Sequence, residues 1–203
     1  MSVTKALASF GKEAVFRVLI LFWKGCFCMK KNQVVKLVTA ALLLALGLVL
    51  PFLTGQIPEI GSMLLPLHLP ALLCGFLCGW PWGLAAGFVL PLLRSILFGM
   101  PPMIPTALCM AFELAAYGAA AGVLYRMKGS VYFALIGAML IGRAVWGLVS
   151  WAVYKLLMGS SFAIAAFWAG GFVNAWPGIV LQLVLVPLIV TALKKAKLIP
   201  ASC

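Results

Sequence analysis

The sequence predicts an all-α integral membrane protein of six transmembrane helices with both termini in the cytoplasm. Three observations predict it. Of 203 residues, 66% are hydrophobic and only 9% are charged, whereas a soluble domain carries about 25% charged residues. From Met29 onward, six apolar runs follow one another with short interruptions. The basic residues gather at alternate ends of those runs: Lys30, Lys31 and Lys36 before the first, Arg126 and Lys128 between the fourth and fifth, Lys194, Lys195 and Lys197 after the sixth. Cytoplasmic flanks of membrane helices are enriched in Lys and Arg, so this alternation marks one side as the cytoplasm. It also accounts for the net charge of +12 better than a nucleic-acid partner does, and none is expected.

Residues 1–28 stand apart. Their apolar character is broken by Lys12, Glu13, Arg17 and Lys24, and the uninterrupted stretch Val18–Trp23 is far below the ~20 residues that span a bilayer. This extension reads either as an interfacial amphipathic helix or as an over-long gene start, since "MKKNQVVK" from Met29 has the look of a natural beginning. Residues 29–203 make one membrane domain. Its spans are expected at about Val35–Leu53, Ser62–Gly79, Trp82–Phe98, Pro105–Tyr125, Val131–Tyr154 and Phe172–Leu193, with Pro66, Pro70, Pro91 and Pro187 inside them. Such prolines are tolerated where neighbouring helices satisfy the freed carbonyls. The outward loops are then "TGQIPEIG", "GMPPMI" and "KLLMGSSFAIAAFWAGG".

Six cysteines, Cys26, Cys28, Cys74, Cys78, Cys109 and Cys203, match no zinc spacing with His partners. They read as free thiols packing as small hydrophobes, and no metal or other cofactor is expected.

The polar residues within the spans carry the functional signal. A charge at mid-bilayer costs roughly 3 kcal/mol or more, yet Arg143 lies near the middle of the fifth span. Placed along their spans at ~1.5 Å per residue, His68, Arg94, Glu113, Arg143, Asn174 and Gln182 all fall in the outward half. Trp146, Trp176 and Tyr117 lie in or beside the same layer, whereas Trp151 and Trp168 read as an interfacial belt. A proton or ion path needs polar groups across the whole thickness. This distribution describes a cup open to the outside and closed below.

Span one contains Ala41-x-x-x-Ala45, with Gly47 nearby, a small-residue spacing that lets membrane helices approach closely. It is followed by the Pro/Gly-rich run "IPEIGSMLLPLHLPALLCGFLCGWPWGLAAGFVLPLLRSILFGMPPMIPTALCMAFELAAYG". With the basic inner ends and the outward polar layer, these features resemble the substrate-binding S components of energy-coupling factor (ECF) vitamin transporters, over roughly Met29–Lys197. The resemblance implies a multi-pass subunit of the bacterial plasma membrane, without enzymatic activity, that captures a vitamin or related micronutrient. It implies docking, through Ala41 and Ala45, on a membrane scaffold subunit driven by two cytoplasmic ATPases, and a gating role for loop 54–61. The chain has no G-x-x-x-x-G-K-[ST] of its own, as suits a subunit powered by partners.

The substrate-binding candidates are Arg143, Glu113, Arg94, Trp146, Asn174, Trp176, Tyr117, His68 and Gln182. Two arginines against one acid favour an anionic, pantothenate-like solute, with riboflavin, folate and a queuosine precursor as further possibilities. The alternatives are a standalone secondary transporter, which would place polar groups at all depths or show broken helices at the midplane, and a small membrane enzyme. With one His and no Asp in the chain, the usual catalytic sets are largely missing.

Overall fold

A computed structural model describes residues 31–53, 64–157, 159 and 167–195. The extension 1–28 and the loop 54–61 lie outside the described residues. The chain divides into two units, Met1–Leu37 and Val38–Cys203. Of the first, only the opening turns of a helix are described; the second holds everything discussed below.

Among the described residues there are six α-helices and no strands: α1 (Lys31–Leu53), α2 (His68–Cys78), α3 (Trp80–Phe98), α4 (Leu108–Lys128), α5 (Val131–Leu157) and α6 (Trp176–Lys195). All but α2 are long and apolar enough to cross a membrane. The chain is therefore a multi-pass membrane protein.

The second span departs from expectation. α2 has 11 residues, or about 16 Å of helix, against a hydrocarbon core of ~30 Å. Pro66 and Leu65 account for its late start, because Leu65 takes a left-handed φ of 49° and Pro66 falls in the turn that follows. Pro70 sits in the first turn of α2, where a missing N–H breaks no bond. One further start is irregular and another is late. Ile104 is extended (φ −120°, ψ 130°), just before Pro105, where the fourth span was expected to begin; the chain from there passes through an irregular turn into α4 proper at Leu108. An irregular turn at Ala169–Val173 holds α6 back from Phe172 to Trp176, which leaves Asn174 outside that helix.

α4 is the central element, packed against α2, α3 and α5. Glycines make this possible. A Cβ on Gly118 would collide with the carbonyl of Gly83, and one on Gly87 with the carbonyl of Leu114. One on Gly75 would meet the carbonyl of Gly118, and one on Gly122 the backbone of Trp80. The three helices thus touch backbone to backbone, the close approach that small residues permit in membranes. Gly79 alone joins α2 to α3, at φ 92°, a conformation that costs glycine little. Cys74, Cys78 and Cys109 are buried thiols outside any disulfide.

The apolar core draws on all six helices, Ala40 and Leu43 of α1 and Ala86 of α3 among them, and four helix faces within it bear on the site. It includes Leu69, Leu72 and Phe76 of α2, Tyr117 and Ala121 of α4, Leu135, Ala138 and Met139 of α5, and Val186 and Val190 of α6.

Candidate functional site

Each of those four faces changes character at one level. One turn from Leu72 lies His68; one turn from Tyr117 lies Glu113; one turn from Met139 lies Arg143; one turn from Val186 lies Gln182. Residues four apart share a helix face. On α4 and α6 the polar residue is the one farther from the basic end of its helix, at Lys128 and Lys195; on α5 it is the one farther from Val131, the end that follows directly on the basic end of α4. A polar layer therefore caps an apolar plug. All four side chains are enclosed: His68 is 1% exposed, Glu113 2%, Arg143 6% and Gln182 0%.

Glu113 is the hub. Its Oε1 lies 2.9 Å from Nη1 of Arg143 and 3.3 Å from Nε2 of His68. Tyr117 carries a side-chain hydrogen bond to Glu113 and meets the His68 ring edge-to-face at 5.1 Å. The Tyr117 ring also lies so close to Gly142 of α5 that a Cβ there would be 2.8 Å away. The guanidinium carbon of Arg143 sits 6.0 Å from the Trp146 ring, which stacks on Phe167 at 5.9 Å.

Among the described residues much of this polar capacity has no hydrogen-bond partner. Nδ1 and Nε2 of His68, Oε1 of Glu113, Nε and Nη2 of Arg143, and both amide atoms of Gln182 are buried without a well-aligned hydrogen bond. The Glu113–Arg143 approach is thus an ion pair by distance, not an aligned hydrogen bond. A buried polar group left unpaired costs about 1–3 kcal/mol. Setting aside Oε1 of Glu113 and Nε2 of His68, which meet in the ion-pair cluster, five such atoms on His68, Arg143 and Gln182 at one level call for a functional account.

The remaining candidates fall elsewhere. Arg94 is buried, but its Nη1 donates to the carbonyl of Leu48 on α1 at 2.9 Å, and its guanidinium lies 5.6 Å from the Phe52 ring and 5.5 Å from the Phe98 ring. It fastens α1 to α3. The charge count that set two arginines against one acid therefore does not describe the cluster, where one arginine faces one glutamate. Asn174 and Trp176 are exposed, Trp176 at 63%, because the irregular turn before α6 turns them away from the enclosed layer. Trp151 and Trp168 are also exposed. Sequence reasoning passed over Ser150, which is buried; its spacing of seven from Arg143 was the available signal, since it places both on one face of α5.

A family model for the substrate-specific component of ECF transporters matches residues 35–190. The chain belongs to this family. As an S component it is a substrate-binding membrane subunit of an ECF transporter, and the family consists of transporter subunits, not enzymes. No curated protein and no solved structure matches the chain. Among the described residues of this S component no group of His, Cys, Asp and Glu is placed to hold a metal ion. The match covers the full extent of the polar layer, from His68 to Gln182.

Proposed function

We propose that this S component captures a water-soluble vitamin or related micronutrient in the layer formed by His68, Glu113, Arg143 and Gln182, with Tyr117 and Trp146 beside it, and delivers it for ATP-driven import. The observation that carries the reading is the concentration of unpaired buried polar atoms on His68, Arg143 and Gln182 around the Glu113 carboxylate. In a membrane interior, charge-assisted bonds to a solute are about twice as strong as neutral ones, so a small enclosed set of donors and acceptors suffices for tight capture. The basic ends of α4 and α6, with exposed Arg126, Lys128, Lys194 and Lys195, favour a cytoplasmic placement of those ends and of both termini, with the polar layer opening outward.

Transport needs partners, and α1 supplies a surface for them. Val38, Leu42, Leu46, Val49 and Phe52 are exposed, as are Ala41 and Ala45 among them, so among the described residues one apolar face of α1 is left without a neighbour. The scaffold subunit of the energy-coupling module, with its two cytoplasmic ATPases, is the partner the family implies, and the small side chains of Ala41 and Ala45 suit close helix approach.

Two measurements test these assignments. Mass spectrometry of small molecules retained on the purified protein identifies the solute, and Arg143→Ala, inserted in the membrane at the wild-type level, retains none. Equal retention by the variant removes Arg143 from the site. Ala41→Leu combined with Ala45→Leu lowers co-purification with the scaffold at least about tenfold, a coupling of roughly 1.4 kcal/mol, and leaves solute binding unchanged. Undiminished co-purification moves the docking face elsewhere.

A further inference from the structure

Resting on that reading of the cluster, we infer that the solute is a neutral, planar nitrogen heterocycle that turns a pair of acceptors to Arg143, and not a carboxylate. The first argument is the free edge of the guanidinium. Nη1 is engaged with Glu113 at 2.9 Å, while Nε and Nη2 are buried and unpaired. Those two nitrogens lie on one side of the planar group and present two parallel N–H donors. Two kinds of solute match such a fork: a carboxylate with its two oxygens, or a ring that carries a carbonyl oxygen beside an unprotonated nitrogen, the pairing by which arginine reads guanine.

Charge decides between them. Within the layer the formal charges of Arg143 and Glu113 cancel. A bound carboxylate would put a second anion on the same guanidinium, across from Glu113, whose other contacts in the described structure are the His68 imidazole and the Tyr117 side chain. Two like charges sharing one cation in a low-dielectric interior repel strongly, and the added charge must also be stripped of water. A neutral acceptor pair takes up the same two N–H groups and avoids both costs.

The surroundings suit a flat ring. Trp146 stands beside the guanidinium and is itself stacked on Phe167, and aromatic faces take planar partners in offset or edge-on contact. Gln182 adds an unpaired amide with both donor and acceptor, which complements a ring amide where N–H adjoins C=O. Gln182 reaches this level on the α6 face that packs with α2 and α5.

Equilibrium dialysis of the purified wild-type protein against guanine, riboflavin, pantothenate and nicotinate tests the class directly. At least one of the two heterocycles is expected to bind 100-fold more tightly than either carboxylate, and Arg143→Gln to weaken that binding tenfold or more. The ranking is read on unaltered protein, so it stands even where the variant folds poorly. If a carboxylate binds tightest and Arg143→Gln abolishes it, the class is wrong and the site is right. If no probe binds, or binding ignores Arg143→Gln, both the class and the cluster as solute site are overturned.

Discussion

Two buried arginines in this protein have opposite fates. Arg94 is 3% exposed and Arg143 6%, so exposure does not separate them. Arg94 donates to the Leu48 carbonyl and lies against Phe52 and Phe98, its charge held by one backbone oxygen and two ring faces. Arg143 makes one close approach, to Glu113, and keeps two buried nitrogens unpaired. A charge buried in a membrane protein is therefore not in itself a sign of function. The sign is capacity for hydrogen bonding that the fold leaves unused.

The sharpest break in this comparison comes from Arg143→Ala. It leaves Glu113 buried with its cation gone, and loss of one partner of a buried pair costs about 3–5 kcal/mol; thermal unfolding in detergent should show the drop, alongside lost solute binding. Replacing both members, Glu113→Gln with Arg143→Gln, removes the uncompensated charge. Most of the stability should return while binding does not, and a double variant as unstable as the single one would mean that the pair holds the fold together instead of a solute.

Arg94→Ala is the reciprocal case. A hydrogen bond from a charged donor contributes about 1.5–3 kcal/mol, so the variant should unfold earlier by about that amount and bind solute within roughly twofold of wild type. A large loss of affinity would place Arg94 back in the site. The smallest effect on folding belongs to Gln182→Leu. Removing an unpaired buried amide for an apolar group of similar shape is nearly neutral or stabilising, so stability should hold or rise by up to about 1 kcal/mol. Affinity should fall about tenfold, the worth of one hydrogen bond to the solute; full affinity would take Gln182 out of the layer.

How much of this was legible in advance varies by feature. Five of the six spans were readable from hydropathy, and Glu113 was readable as a neighbour of Arg143 because consecutive spans placed them at similar depth. The shortness of α2 was not, although Pro66 and Pro70 were in view, because a proline is compatible with a continuous helix or a broken one until neighbours decide. Arg94 was assigned to the solute layer by its position along α3. Its true direction depends on α1, 46 residues earlier in the chain, and no local pattern reveals that. Asn174 and Trp176 were misplaced for a related reason, since the irregular turn before α6 changes which way they face.

What the chain by itself determined is everything that depends on the content of a window of ~20 residues: that it enters a membrane, roughly where its helices lie, and in which half of each helix the polar groups fall. Free energy of transfer into lipid is set by composition, and composition is local. Only the tertiary structure decided which of those polar groups meet. That depends on how each helix is rotated about its own axis, and the rotation is set by the backbone contacts of Gly75, Gly83, Gly87 and Gly118, which bring residues from α2, α3 and α4 within reach across spans that hydropathy treats alike.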